Sequence, residues 1–305
     1  MRLILLLLLA AGSLRTCEKI GESPARRKNV SANAEPVSVA LRHSPNLSLV
    51  PRESQQDKAR EAYARAHELF VEKKLDAALV AVEQALAEDP KYVPALTLRA
   101  KLAMALSRLD VARRDLTLAA ELEPASPYTQ FMLGFFYYLE NDFKRALPAL
   151  ERARELDPAG SRTHFYLALT YEGLADAPRA IEMYERALGL AEAAGQVDTD
   201  IWIAYARLLF TLGKYSKCVP LIEKALAAEP TSRDAHYERG RLHFQAGEYA
   251  AAARAGERAL GLASVGTTDR QIHFLLARAY ARAGNGRLAA AHLAKFQASA
   301  PALRR

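Results

Sequence analysis

Pro90, Pro124 and Pro158 fall 34 residues apart, and each closes a short acidic, apolar phrase: Ala-Glu-Asp-Pro, Leu-Glu-Pro and Leu-Asp-Pro. A fixed period of that length means one helix–turn–helix unit copied along the chain. It constrains the fold before any local propensity is weighed.

Aligned on those prolines, three rows of small side chains appear. The first is Ala66, Ala100, Gly134, Ala168, Ala206, Gly240 and Ala277. The second is Ala78, Ala112, Ala146, Ala180, Cys218, Ala252 and Ala289. The third runs Ala85, Ala119, Ala153, Ala187, Ala225 and Ala259, and ends in Phe296. Helices whose axes approach to about 8–10 Å need small residues at the crossing. Larger apolar residues stand between the rows at helical spacing, such as Leu133, Tyr137, Leu150 and Leu156. Breakers fall midway through units: Asn141-Asp142, Gly213-Lys214, Gly247-Glu248 and Gly284-Asn285-Gly286. Pro148 and Pro220 share one repeat position, near the start of the second helix. Two spacings exceed 34, and the extra residues near 193–196 and 265–268 are expected in loops between repeats.

The small and aromatic columns with a closing proline resemble the tetratricopeptide repeat family. Seven units are expected over 57–298, starting near 59, 93, 127, 161, 199, 233 and 270. The resemblance implies an all-α fold, an α-solenoid of seven helix–turn–helix repeats coiled into a right-handed superhelix. It also implies that the first helix of each hairpin lines a concave groove that holds a protein or peptide. Family members that clasp chaperone termini use a Lys, Arg and Asn clamp. Here the asparagines are Asn29, Asn33, Asn46, Asn141 and Asn285, none of them in a first helix, so that role is not implied.

The first seventeen residues read as an export signal. Met1-Arg2 precedes an apolar run from Leu3 to Ala11, too short to span a bilayer. Two processing readings stay open: cleavage near Ala10-Ala11-Gly12, or cleavage before Cys17 with a lipid attached to it. Leu14 and Cys17 resemble a bacterial lipobox, and Arg15 and Thr16 depart from it. Residues 18–56 lack any periodicity and read as a flexible linker, and residues 299–305 as a basic tail. The expected location is exported, periplasmic or attached to the cell envelope of a bacterium, with the membrane reached only through a lipid anchor.

Net charge is +7, but residues 1–58 carry nine Lys/Arg against five Asp/Glu, and the remainder 33 against 30. The repeats are nearly neutral, which argues against nucleic acid as a partner. The histidines show no metal-ligand spacing, and His164, His236 and His273 share one column, a packing signature. Gly213-Lys214 lacks the upstream glycine of a phosphate loop, and Gly284-Asn285-Gly286 follows a helix rather than the strand of a dinucleotide fingerprint. No cofactor, no metal and no catalytic residue is expected, and the chain reads as a non-enzyme. Cys218 replaces alanine in a tight column and is expected to be buried and unpaired.

Three columns share one face of the first helices, four and then three residues apart. In units three and four they place Phe131, Phe135, Tyr138 and Phe165, expected as an apolar surface. In units five to seven they place Arg207, Arg241 and Arg278, flanked by Tyr237, Phe210 and Phe244. Arginine with aromatics is what interface hot spots favour, and the expected partner is a protein or peptide segment with acidic groups. Asp200 and Asp234, one or two turns before Arg207 and Arg241, are placed to neutralise them. Two other readings stay open: an accessory subunit that positions a partner enzyme, and self-association through the final helix at Phe296.

Overall fold

The computed structural model describes residues 52–263 and 266–299. The leader, Cys17, the linker up to residue 51 and the tail beyond Ser299 lie outside the described residues. Within them every regular element is a helix. In chain order these are α1 (Arg52–Val71), α2 (Leu75–Glu88), α3 (Val93–Ala105), α4 (Leu109–Leu122), α5 (Pro127–Leu139), α6 (Phe143–Leu156) and α7 (Ser161–Gly173). They continue as α8 (Ala177–Ala193), α9 (Thr199–Thr211), α10 (Tyr215–Ala228), α11 (Arg233–Gln245), α12 (Tyr249–Leu260), α13 (Asp269–Arg282) and α14 (Gly286–Ala298). The helices form two compact units, α1–α4 up to Glu123 and α5–α14 from Pro124. Each is a stack of helical hairpins, the all-α repeat fold that the 34-residue period predicts. Helix α1 begins inside the stretch read as linker.

Within each unit the small-residue rows sit where helices meet. Ala78, Ala112, Ala146, Ala180 and Ala252 of the second row are fully buried, as are all six alanines of the third. The first row shows how little room is left. A Cβ on Gly134 would lie 2.6 Å from Leu150 Cγ, and one on Gly240 would lie 2.9 Å from Leu275 Cδ2. Cys218 is buried, its Sγ 3.3 Å from the carbonyl of Ala206, and burial pushes the thiol up to about 11. It is therefore a protonated donor filling an alanine site, as its column predicts.

The turn inside each hairpin repeats one backbone device. Lys73, Ser107, Asn141, Ala175, Gly213, Gly247 and Gly284 occupy equivalent positions, all at φ between 58° and 82°. The residue after each donates its N–H to a carbonyl five back, as Asp142 does to Tyr137 and Lys214 to Leu209. This left-handed cap satisfies the carbonyls that a helix end leaves open. Three of the second helices then start on a side-chain cap: Asp142 accepts from the N–H of Arg145, Asp176 from that of Arg179 and Asn285 from that of Leu288.

Two local expectations are corrected. The four extra residues before α9 do not simply lengthen a loop: α8 has 17 residues where the other second helices have 12 to 14, so helix absorbs most of them. An alanine- and leucine-rich stretch carries its own helix through Gly189, and Gly195 at φ 63° ends it. Pro148 and Pro220 are each the sixth residue of their helix, so each removes an interior hydrogen bond rather than one already free at the terminus. Both side chains face solvent.

His164, His236 and His273 are buried and neutral, bound respectively to the carbonyl of Gly160, the carbonyl of Pro230 and the ring of His292. Burial, the largest cause for each, lowers all three below the ordinary 6.5. The unfolded chain therefore binds more protons, so stability is complete above about pH 6.5 and falls as pH drops through the depressed values. Melting temperatures are expected to decrease from pH 7.5 to 5.5, and a His164→Asn variant to show a shallower decrease.

Gly213 at φ 73° has open space around it, whereas Ala175 holds φ 60° against its own Cβ. Gly213→Ala should cost about 1 kcal/mol, since strain is the sole penalty there. Ala175→Gly should give a smaller gain, because the freer unfolded chain offsets part of the relief. Urea denaturation of the two variants reads opposite signs.

Candidate functional site

The first helices α5, α7, α9, α11 and α13 carry the three columns on one face of the larger unit. Its amino-terminal part is aromatic, but it is less open than the sequence suggests. Phe135 is 4% exposed and Phe165 5%, and Phe131 and Tyr138 are half-buried. The cause is Tyr166, a residue outside the three columns. Its ring lies 5.6 Å from Phe131, 4.8 Å from Phe135, 5.4 Å from Tyr138 and 5.3 Å from Phe165. Phe131 and Phe135 stack at 6.1 Å with 6° between planes. Four of these rings thus close on a fifth, and burial lifts the Tyr166 phenol far above its ordinary value. The expected apolar surface formed by Phe131, Phe135, Tyr138 and Phe165 is therefore a hairpin contact, with only the edges of Phe131 and Tyr138 left to a partner.

The arginine column is built on a carboxylate that sequence reasoning passed over. Arg207 Nε donates to Glu238 Oε1 at 3.2 Å, and Arg241 Nη1 donates to Glu238 Oε2 at 2.6 Å. Glu238 is 4% exposed, Arg241 24% and Arg207 50%. One buried charge thus ties α9 to α11. Neither aspartate expected to neutralise the arginines does so by contact. Asp234 instead accepts from the N–H of Thr267 at 2.6 Å and from its hydroxyl, and Asp200 makes no ion pair among the described residues. Burial opposes the Arg207 charge, and Glu238, together with Asp234 and Tyr184 acting at longer range, outweighs it, so its pKa is raised.

Aromatic rings hold the guanidinium groups. Arg241 lies 3.9 Å over Phe210 and 5.9 Å from Tyr237, and Arg278 lies 4.4 Å over Phe244 and 5.5 Å from Phe274. Each takes one ring from the preceding hairpin and one from its own. Arg207 has neither ring: Ile203 stands in the column of its own hairpin, and in that of the preceding one stands Glu172, which accepts from the hydroxyl of Tyr184. Burial raises the Glu172 carboxyl, while Tyr184 and Arg207 pull it back. Arg278 is exposed and has no carboxylate partner among the described residues. Burial raises the Tyr237 phenol as well.

Tyr166 and Glu238 share one repeat position, the sixth of their units, which elsewhere holds Ala64, Leu98, Met132, Ala204 and Leu275. A carboxylate in an otherwise apolar column was the signal that could have found Glu238. No group of three metal-ligand side chains occurs among the described residues. Gly213 and Gly284 serve as turn caps. None of the described helices is long and apolar enough to cross a membrane.

This geometry defines a helical-repeat protein with a charged and aromatic face on its first helices. Residues 137–197 and 203–266 match the tetratricopeptide repeat family model, which identifies the repeat type of those segments. No curated protein matches the chain. Several solved structures share its fold. PilF of Pseudomonas aeruginosa is 17% identical over 68% of this chain and 92% of its own, with a TM-score of 0.60. A tetratricopeptide repeat protein of Parabacteroides merdae is 18% identical over 75% and 90%, at 0.56. The Cut9–Hcn1 tetramer of the APC/C contains a chain 18% identical over 76% of this one, at 0.65, of which this chain covers 44%.

Removing one partner from a buried carboxylate leaves it undercompensated. Arg241→Met should cost about 2 kcal/mol, below the range for a fully buried pair because Arg241 keeps some solvent. Arg207→Met should cost about 1 kcal/mol or less, since half of that side chain is in water. Urea midpoints of the two variants rank the two bonds.

Proposed function

We propose that this chain is a non-catalytic scaffold that holds a protein or peptide segment on its first-helix face, in an exported assembly associated with the cell envelope. The observation that carries this reading is the row Arg207, Arg241 and Arg278. Two of these three cations share one contacting carboxylate, and aromatic rings hold Arg241 and Arg278 in place. Guanidinium groups so fixed lose little freedom on binding, and arginine and aromatic anchors dominate binding energy at protein interfaces. The match to tetratricopeptide repeats supports the same reading, since such repeats serve as protein-interaction scaffolds. The export reading rests on Met1–Ala11 and its lipid-anchored form on Cys17.

A second reading, self-association, draws support from the final helix. Leu288 and Leu293 of α14 are exposed, and His292 is its one buried residue. Phe296 favours it less than its column suggests, because the ring already packs 5.1 Å from Phe274 and beneath Arg270 at 4.3 Å.

The test is co-purification from the native host in detergent. A partner held by the wild type should be lost from an Arg207→Glu, Arg241→Glu, Arg278→Glu variant whose circular dichroism is unchanged. Cys17→Ser should release the protein from the membrane fraction without releasing the partner. A partner retained by the charge-reversed variant removes the face from consideration. A mass that doubles with concentration in light scattering transfers the weight to the final helix.

A further inference from the structure

We propose that Arg241 and Arg278 form a two-toothed comb that reads carboxylates three residues apart on an extended acidic peptide, and that Arg207 is a positioning residue rather than a third tooth. The inference rests on the first-helix face being the binding face, and goes further in naming the ligand's chemistry and spacing.

The two teeth are built alike. Each guanidinium lies against one ring from the preceding hairpin and one from its own: Phe210 and Tyr237 for Arg241, Phe244 and Phe274 for Arg278. Rings against its faces fix a guanidinium plane and leave its edge of N–H donors free, which suits a bidentate carboxylate. Arg278 donates no hydrogen bond among the described residues, and Arg241 spends Nη1 alone, on Glu238. Arg207 is built differently. Its Nε is spent on Glu238, and the ring of the preceding hairpin is replaced by Glu172, a carboxylate that would repel an acidic ligand. Its contribution is to hold Glu238, which in turn orients Arg241.

The spacing follows from the helices. Helices α11 and α13 are in direct contact, so their axes lie about 8–10 Å apart. A segment in the extended polyproline II form rises about 3.1 Å per residue with three residues per turn, so side chains three apart share one side and lie about 9 Å apart, the spacing of successive teeth. A helical ligand rising about 1.5 Å per residue would need six or more. Acidic groups three apart on an extended segment therefore fit, and a block of adjacent acids meets one tooth only.

Fluorescence anisotropy at low salt tests this with labelled Ser/Gly peptides. These carry three glutamates at every third position, three adjacent glutamates, or three glutamines. The spaced peptide should bind at least tenfold tighter than the adjacent one, and the glutamine peptide should not bind. Arg278→Gln, an exposed change, should abolish the preference for spacing. Arg254→Gln, on the second helix α12, should leave it intact. Equal affinity for spaced and adjacent acids, no binding of either, or a preference that survives Arg278→Gln overturns the proposal. So does labelled oligothymidylate binding tighter than the spaced peptide, because that makes the face a general polyanion site. If the peptides fail while the native partner is still lost on charge reversal, the binding face stands and the comb does not.

Discussion

The close approach of helices at rows of alanine and glycine governs this molecule. Where a first helix meets its second, one side chain has been reduced to a methyl or a hydrogen, and at Gly134 and Gly240 a leucine, Leu150 or Leu275, fills the space where a larger group would stand. The rows fix how deep each hairpin sits on the next. They thereby fix which positions of a first helix point outward and which are caught between hairpins. Dispersion at such contacts is small per atom pair and large in sum, so a column of small residues is as informative as a column of large ones.

That constraint explains what could be read from the sequence. Repeat number, helix order and turn positions follow from period and composition, because seven imperfect copies average away the noise of any one. Even the left-handed turn residue keeps its register where it is lysine, serine or alanine rather than glycine. The face was legible only in outline. Its columns can be counted, but a count does not show which side chains a neighbour covers. Tyr166 is the example: a ring one position from the face turned four apparent surface aromatics into the packing of a contact.

Glu238 was hidden for a related reason. Sequence spacing relates residues on one helix, and so proposed Asp200 and Asp234 for the arginines. The carboxylate that binds them stands across a hairpin boundary from one arginine and three residues before the other. Pairings between repeats do not show in the spacing along one helix, and only the odd carboxylate in an apolar column hinted at this one. The longer α8 shows the same limit, since the breaker pattern marked added residues without saying whether helix or loop would take them.

Repeat arrays are usually regarded as interchangeable parts: a hairpin can be duplicated, excised or shuffled, and its neighbours accept the new contact through generic packing. The carboxylate shared by Arg207 and Arg241 removes that freedom locally. Excision of the hairpin that carries Glu238 would leave Arg207 without its counter-charge, and duplication would bury a second glutamate with one arginine too few. The fifth and sixth hairpins are thus bound to be inherited as a pair, an indivisible segment in an otherwise modular chain.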